Sequence, residues 1–578
     1  MKTNKLFSGM ELSELIEVTR VRDAFMRKGP RPAQIGDICI FGHHLIFAPT
    51  AISKEEPDNS QEFWLLHKAV DRVLCEPISK ENPQRGGLLA LKCKNFLMII
   101  FEIGDLEICR ATARTIEALS NINGFLHDYA FFYNSPFTIL DNGWSAFDPE
   151  QEFARLMLST DAFRISSVNE NFTVCSSYPE KVIVPKGIGD DYLKISATFR
   201  EGSRFPVLSY FHKETKSPIV RCSQPLIGPT NRRCREDETI LNSLITINRG
   251  YIIDTRSKSA ASAAKAKGGG AEPQGNYRQW RYIQCPIPRQ REIHDALTRM
   301  VDVCSERKVS SDRWVNRVGQ AGWLSAVAAS LEAGANVAQC IYSEGLKEVP
   351  VVIHGGEGID STLIASSLAQ ILLDSDARTI RGFESVIERE WICAGHPFSL
   401  RNNHCAYAEG TVTGPFEAPV FLVFLDAVYQ MIAQYPMSFE FDENFLIFLF
   451  EHAYASEFGS FLGNSEKEKK ENGIRKKTVS LWSHVHHPEN MKQFVNICYD
   501  PTPGVIWPSI APQCIKIWDR LFFRWQRPDN SWSKPETETI QSLADHWKLR
   551  EKELTAKASS LRRSVIELSR ELRVTSPL

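Results

Sequence analysis

The residues whose types and spacing are suited to chemistry lie between Val351 and Leu373. An apolar run ends at Ile353, and the turn that follows, HGGEGIDST, consists mainly of small, polar and acidic residues. From Leu363 onward, apolar residues recur at the three- and four-residue spacings of a helix. A strand, a glycine-rich turn and a helix together aim backbone N–H groups and the positive end of the helix dipole at an anion. The stretch therefore predicts a cradle of the kind that holds a phosphate group.

The elements that precede this cradle begin with short strand patterns from Gly36 to Ile103. Two apolar runs around His43 predict a hairpin, and a helical pattern follows from Leu106 to Leu126. Several strands and one helix predict a small β-barrel or sandwich domain. A basic cluster precedes the strands, and we interpret it either as a solvated face or as a contact for acidic lipid headgroups. The cluster consists of Arg20, Arg22, Arg27, Lys28 and Arg31.

A segment of small and cationic residues runs from Arg256 to Gly275. Its composition is typical of an interdomain linker, and it is equally typical of a long loop or a small-residue helix inside one domain. The segments on either side do not change in character, so the sequence leaves these alternatives open.

A seven-residue repeat of large side chains marks the last forty residues. About five heptads predict a coiled coil, and the alternative is an amphipathic helix packed on its own domain. The d positions are Ile540, Trp547, Leu554, Leu561 and Leu568, and the a positions are Ala544, Glu551, Ala558, Val565 and Leu572.

The charges along these heptads indicate the kind of partner. Glu551 at an a position is costly in a homodimer, because two carboxylates would face each other in the seam. The cations at the e and g positions would repel their copies in a parallel homodimer and attract an acidic strand. The pattern therefore favours a hetero-oligomer. These cations are Lys548, Arg550, Lys557 and Arg562.

Length and composition exclude several classes of function. A chain of 578 residues predicts two or three domains, and 68 basic against 70 acidic residues argue against an overall nucleic-acid binder. The 14 cysteines show no C-x-x-C pair and no Cys/His spacing of a metal site, so we expect no zinc, no disulfide framework and no cofactor. A reducing cytosolic compartment fits best. Apolar stretches are all shorter than about 18 residues, so any membrane contact is expected to be peripheral.

Several segments resemble the myotubularins, a family of phosphoinositide 3-phosphatases. The signature loop of active members reads HCSDGWDRT, and His354, Gly358, Asp360 and Thr362 match it. The whole pattern is most similar to the catalytically inactive subgroup of the family. The other similar segments are Arg204–Tyr210, Arg221–Pro225, Thr379–Phe398, Phe445–Asn464 and Val505–Gln513.

The resemblance implies a multidomain fold of mixed α+β and α/β class. We expect a PH-like GRAM β-domain over residues 1–127 and an inactive cysteine-phosphatase-like α/β domain over residues 128–530. A coiled-coil helix is expected over residues 536–574.

The resemblance also implies that the loop from His354 to Thr362 lacks catalytic residues. We call it the degenerate loop. The family's chemistry needs a cysteine thiolate as nucleophile, and an arginine six residues later to hold the phosphate oxygens. Those positions hold Gly355 and Ser361. Asp360 remains where the family has a candidate acid, but an acid without a nucleophile does not restore the mechanism. We therefore expect a pseudophosphatase and not an enzyme.

The remaining residues of the degenerate loop are expected to bind an anion weakly or not at all. Gly356, Gly358 and Ile359 keep the backbone of a cradle, but Glu357 and Asp360 place two negative charges at its mouth, with no arginine to offset them. We interpret His354 as a structural residue that orders the turn.

Inactive myotubularins act by pairing with an active member, so the resemblance implies a partner. We expect the heptads to bind an active myotubularin phosphatase and regulate its activity, stability or endosomal targeting. The alternative is a phosphoinositide-binding membrane adaptor that acts without a phosphatase partner. Either role places the chain in the cytoplasm, peripherally associated with endosomal or other internal membranes. A third hypothesis, an enzyme with unrecognised chemistry, has no motif in its favour.

Overall fold

The computed structural model describes most of the chain. The described residues are 12–28, 33–50, 62–79, 82, 85–122, 124–305, 310–342, 348–407, 417–501, 504–524, 548, 552 and 554–565. The chain divides into two compact units, Met1–Trp525 and Gln526–Leu578, and each is described by itself.

The larger unit begins with a seven-stranded antiparallel sheet and one helix. The elements are β1 (Arg20–Lys28), β2 (Gln34–Ile40), β3 (His44–Pro49), β4 (Phe63–Leu66), β5 (Val70–Pro77), β6 (Gly87–Cys93), β7 (Met98–Ile103) and α1 (Leu106–Ser120). The strand order is β4-β3-β2-β1-β7-β6-β5. The predicted hairpin is confirmed as β2–β3, and the predicted helix ends six residues early, at Ser120. Asp105 caps its start by accepting from the N–H groups of Glu107 and Ile108.

The basic cluster lies inside this sheet and not ahead of it, so the predicted position was wrong. Arg20, Arg22, Arg27 and Lys28 all belong to β1, whereas Arg31 lies outside the described residues. A bulge between Val21 and Ala24 interrupts the two-residue alternation that identifies a strand. That interruption hid β1 from pattern reading.

The rest of the larger unit is built on a second, mostly parallel sheet. Its strands are β10 (Val207–His212), β11 (Ser217–Cys222), β12 (Gly250–Asp254), β13 (Trp280–Gln284) and β14 (Val351–His354), and a separate pair is formed by β8 (Phe163–Ser166) and β9 (Val182–Pro185). The five-stranded order is β10-β11-β14-β12-β13. Only the β10–β11 pair in it is antiparallel.

The remaining helices of the larger unit follow α1 in the chain. They are α2 (Gly143–Ala146), α3 (Pro149–Met157), α4 (Asp190–Ala197), α5 (Arg235–Asn242), α6 (Lys258–Ala266), α7 (Gln290–Ser305), α8 (Ser311–Ala321), α9 (Trp323–Ile341), α10 (Ser361–Leu373), α11 (Ile380–Ile387), α12 (Phe398–Arg401), α13 (Val420–Gln434), α14 (Glu443–Tyr454), α15 (Glu466–Asn472), α16 (Ile474–Lys477), α17 (Leu481–Val485), α18 (Pro488–Met491) and α19 (Asp519–Phe522).

The central strand β14 packs helices against both of its faces. Val351 and Ile353 belong to a hydrophobic core shared with α9, α10 and α13. Val352 points the other way, into a smaller core with Phe153 of α3 and Leu241 of α5. A parallel strand buried on both faces is fully apolar, which is why VVI shows no alternation in the sequence.

The segment rich in small residues is part of this domain. Of the alternatives left open by the sequence, the interdomain linker is wrong, because residues 258–266 form α6 within the larger unit. Ser257 caps α6 by accepting from the N–H of Ala260.

The GRAM-like sheet and the second domain are joined by a buried turn between β6 and β7. Phe96 in this turn has a left-handed φ of 66° and no exposed surface. Its ring centroid lies 5.4 Å from that of Phe450 and 5.6 Å from that of Phe522. Asp71 of β5 accepts from the backbone N–H of Cys405 at 3.1 Å. The first domain therefore contributes Phe96 to the core of the second domain, while the residues between its own sheet and α1 form a separate core.

The smaller unit contains a helix over residues 554–565, hereafter the C-terminal helix. Leu554, Leu561 and Val565 are 43%, 59% and 60% exposed. Among the described residues, none of the helices combines the length and the apolar character needed to cross a bilayer.

Candidate functional site

The degenerate loop joins β14 to α10 at the carboxyl edge of the parallel strands. The register aligns His354 at the end of β14 with Cys222 of β11 on one side and Asp254 of β12 on the other. In open α/β sheets, ligands bind at this edge. The predicted strand, turn and helix are confirmed, because β14 ends at His354 and α10 begins at Ser361.

The backbone of the loop is held by the neighbouring turns. The N–H of Gln224 donates to the carbonyl of Gly356 at 3.0 Å, and Arg204 Nη2 donates to the carbonyl of Gly358 at 2.9 Å. Gly358 has a φ of 77°, and a Cβ there would lie 2.8 Å from the carbonyl oxygen of Cys222. Only glycine fits this conformation without strain.

Two hydroxyl groups fill the space where a nucleophile would begin. A Cβ added at Gly355 would lie 2.7 Å from Thr255 Oγ1 and 2.8 Å from Ser361 Oγ. These two oxygens are themselves hydrogen bonded at 2.7 Å. A side chain at position 355 therefore requires Thr255 or Ser361 to move.

His354 lies beneath the loop, in a network of buried charges. Its Nε2 lies 2.9 Å from Glu272 Oε2 and its Nδ1 lies 4.0 Å from Asp254 Oδ1, with all three side chains fully buried. Burial opposes the charge, but Glu272 and Asp254 raise the pKa of His354 above its ordinary value. Arg200 pairs with the other oxygen of Glu272 at 2.7 Å. These contacts support the structural role predicted for His354.

The expectation that no arginine offsets the acidic residues was wrong. Arg401 Nη2 lies 2.8 Å from Asp360 Oδ2, and Nε donates to Oδ1 at 3.1 Å. Gln290 Nε2 donates to the same carboxylate at 2.7 Å, and His396 Nδ1 lies 3.2 Å from Oδ1. Burial favours protonation, but His396 and Arg401 hold the pKa of Asp360 well below its usual range. The candidate acid of the loop is therefore an ionised, paired carboxylate.

Sequence reasoning missed these partners because they are distant along the chain. Arg401 is 41 residues from Asp360, and Gln290 is 70 residues away. No periodicity links them to the loop. The segment Thr379–Phe398, which resembles the family, ends three residues before Arg401. His396 is the one partner of Asp360 that lies within this segment.

The other acidic residue of the loop is less enclosed. Glu357 Oε2 lies 4.0 Å from Arg401 Nη2, and its side chain is 62% exposed. Desolvation and the neighbouring Asp360 raise the pKa of Glu357.

A cavity of about 560 Å³ opens over the loop. Ala260, Ala263 and Ala264 of α6 form one wall, and their small side chains leave the space open. Within the described part of the chain, the N–H groups from Gly356 to Asp360 have no hydrogen-bond acceptor. The guanidinium of Arg256, also in the lining, is already paired with both oxygens of Asp254. The cavity can admit an anion, but its own lining offers no nucleophile at position 355.

Clusters suited to a metal ion are also absent from the described residues, where no group of three or more His, Cys, Asp or Glu side chains has the required arrangement.

The predicted lipid-binding residues are brought together on β1, but two are paired within the sheet. Arg20 Nε donates to Asp37 Oδ2 at 3.0 Å, and Arg27 pairs with Glu102 of β7. The Lys28 ammonium lies 3.8 Å from the centre of the Phe63 ring. Their role in lipid binding stays a prediction.

The predicted partner-binding residues fall partly within the C-terminal helix. The described ones, which are all exposed, are Lys548, Leu554, Lys557, Leu561, Arg562 and Val565. The others lie outside the described residues: Ile540, Trp547, Arg550, Glu551, Leu568 and Leu572.

Comparison with known proteins defines the class to which this fold and loop belong. A family model for the myotubularin-like phosphatase domain matches residues 128–470, and a model for the GRAM domain of MTMR6-9 matches residues 16–120. The chain belongs to the myotubularin family.

Individual relatives narrow the position within that family. The chain is 92% identical to Myotubularin-related protein 9 of Caenorhabditis elegans, over 98% of this chain and 100% of the relative. It is 44% identical to human Myotubularin-related protein 9, over 97% of this chain and 99% of the relative. A relative named for an activity is human phosphatidylinositol-3,5-bisphosphate 3-phosphatase MTMR8, at 30% identity over 97% of this chain and 76% of its own length.

Proposed function

We propose that this chain is a catalytically inactive myotubularin that binds an active phosphoinositide 3-phosphatase of the family and regulates it. The observation that carries the proposal is the identity of the residues at positions 355 and 361. Gly355 has no side chain, and the hydroxyl of Ser361 is bonded to Thr255 where the family has its arginine. A neutral hydroxyl does not replace the bidentate guanidinium that stabilises phosphoryl transfer.

The partner is an active myotubularin that pairs through the heptads. Leu554, Leu561 and Val565 are exposed on the C-terminal helix at d and a spacings, and apolar residues at these positions are stabilised by a second helix. The cations at e and g favour an acidic partner strand. Relatives such as the one named as a phosphatidylinositol-3,5-bisphosphate 3-phosphatase indicate the class of enzyme. The complex would act in the cytoplasm, on endosomal or other internal membranes.

Co-expression of the full chain with active family members tests this proposal. We expect a stable hetero-oligomer by size-exclusion chromatography with light scattering, and phosphate release from phosphoinositide only when the active partner is present. Phosphate release by the isolated chain would contradict inactivity, provided that a substitution in this chain abolishes it. Failure to co-purify with any active member would contradict the regulatory role.

A phosphoinositide-binding adaptor is the second candidate, and the outward face of β1 favours it. Phe25 is paired with Ile35 of β2, and the two are 43% and 44% exposed. Exposed apolar residues beside basic ones are typical of a membrane contact.

Sedimentation with phosphoinositide liposomes separates the two candidates. Arg22→Ala is the most informative substitution, because Arg20 and Arg27 also hold carboxylates of the sheet; full neutralisation of Arg20, Arg22, Arg27 and Lys28 follows. Headgroup-dependent binding without a partner, lost in these variants, favours the adaptor. Equal sedimentation with neutral liposomes counts against it.

A further inference from the structure

Two cysteines of the GRAM-like domain are in direct contact. Cys75 Sγ on β5 and Cys109 Sγ on α1 are 3.3 Å apart, and 34 residues separate them along the chain. β5 is an edge strand of the seven-stranded sheet, and α1 packs against it. All 14 cysteines are free thiols, and no other sulfur–sulfur contact of this kind occurs among the described residues.

The packing around the pair holds the two sulfurs together. A Cβ added at Gly87 of β6 would lie 2.6 Å from Cys109 Sγ, so the glycine leaves room for the thiol against the sheet. A disulfide has a sulfur–sulfur length of about 2.05 Å, so bond formation brings the sulfurs closer by roughly 1.3 Å.

The two thiols differ in exposure. Cys75 is half-buried, whereas Cys109 is buried. Burial, together with the neighbouring Cys75, raises the pKa of Cys109 to about 12, which keeps it protonated. Access helps to determine which cysteine an oxidant attacks first, and the greater exposure of Cys75 favours it over Cys109.

We propose that Cys75 and Cys109 form a reversible disulfide site that responds to hydroperoxides. The Cys75 thiol releases its proton, and the thiolate attacks one oxygen of hydrogen peroxide. The O–O bond breaks, Cys75 sulfenic acid forms, and the departing hydroxide takes up the released proton as water. Cys109 Sγ then attacks the Cys75 sulfur, the S–O bond breaks, and the departing hydroxide takes the Cys109 proton as water. In total, two thiols are oxidised and one hydroperoxide is reduced. A dithiol reverses the step.

The consequence is a covalent link between an edge strand and the helix that covers it. A cross-link between distant residues restricts the unfolded chain and stabilises the folded one. The oxidised domain is therefore expected to melt at a higher temperature than the reduced domain. This modification is independent of whether the chain binds a phosphatase.

Peptide mapping of the full chain tests the site. Reduced protein is exposed to graded hydrogen peroxide, blocked with N-ethylmaleimide and digested with trypsin without reduction. We expect a cross-linked pair of VLCEPISK (residues 73–80) and NFLMIIFEIGDLEICR (residues 95–110), two hydrogens lighter than the sum of the two peptides. Dithiothreitol should separate them.

Three variants make the result decisive. Cys75→Ser and Cys109→Ser should each abolish the cross-link, whereas Cys39→Ser, at another half-buried cysteine of the same domain, should leave it intact. Non-reducing thermal melts should shift upward on oxidation in the parent and in Cys39→Ser, but not in Cys75→Ser. Oxidation of Cys75 to sulfinic acid, its pairing with another cysteine, or its resistance while other cysteines react would overturn the proposal.

Discussion

The degenerate loop and the C-terminal helix differ in whether their side chains have partners within this chain. In the loop, Asp360 is paired with Arg401, and the Ser361 hydroxyl is bonded to Thr255. In the C-terminal helix, Leu554 and Leu561 remain exposed. Polar groups that are already hydrogen bonded within the protein are less able to react with a ligand. An exposed heptad seam, in contrast, gains stability when a second helix covers it. The difference teaches that the polar side chains of the loop stabilise the fold from within, whereas the helix presents apolar side chains to solvent.

Removal of Arg401 should give the largest effect on the loop side of this comparison. Arg401→Ala removes the partner that makes two hydrogen bonds to the buried, charged Asp360, and loss of one partner of a buried ion pair costs about 3–5 kcal/mol. Urea unfolding of the larger unit measures it. Arg289→Ala is the matched control, since that arginine pairs with Glu292 at an exposed site, where the cost is about 0–1 kcal/mol. Equal losses in both variants would mean that Arg401 does not stabilise the loop.

Acidic substitutions in the heptad seam should give the largest effect among changes to the C-terminal helix. Leu554→Glu with Leu561→Glu replaces two leucines that a partner helix would bury, each worth about 2 kcal/mol. We expect affinity for an active myotubularin to fall by at least about 100-fold. Calorimetry or surface-based binding measures this. Ser559→Glu with Ser560→Glu, at b and c positions, should bind normally, and a similar loss in that control would place the interface elsewhere.

The buried network beneath the loop should make stability depend on pH. The pKa of His354 is raised in the folded state, so its stabilising contribution is present below the unfolded value of about 6.5 and is lost as pH rises through the folded value. Each unit of that elevation is worth about 1.4 kcal/mol. The stability difference between the parent and His354→Gln should therefore shrink from pH 6 to pH 9. His127→Gln is the control, and a constant difference in the His354 variant would show that its charge is not involved.

Reversal of the edge charges should weaken the partner complex moderately. Lys557→Glu with Arg562→Glu places carboxylates at g and e, opposite the acidic strand that we propose. Exposed pairs contribute about 0.2–1 kcal/mol each, so affinity should fall roughly 3- to 10-fold, and less at high salt. Arg563→Glu, at an f position, is the control. An increase in affinity for the double variant would point to a basic partner strand.

Patterns of neighbouring residues correctly predicted those elements whose structure depends mainly on those same residues. The β2–β3 hairpin and the turn from β14 into α10 are each encoded within a few residues, whereas the coiled coil stays a prediction. Arg401 and Phe96 were not predictable in this way. Arg401 reaches Asp360 only because α12 folds over the loop, and Phe96 packs on Phe450 and Phe522 from a turn in another domain. Such contacts form only when the core is assembled, and no residue spacing in the sequence predicts them.

Restoration of the two missing catalytic residues should have the smallest effect. In Gly355→Cys with Ser361→Arg, the new Cβ at 355 meets Thr255 Oγ1 at 2.7 Å, and Arg401 still holds the candidate acid Asp360 as an ionised pair. We therefore expect phosphate release no higher than that of the parent chain. Gly356→Cys, whose Cβ has no atom within 4 Å, controls for an added thiol in the loop. Substantial turnover by the double variant would mean that only two side chains separate this loop from an active one, and that its internal contacts impose no further barrier.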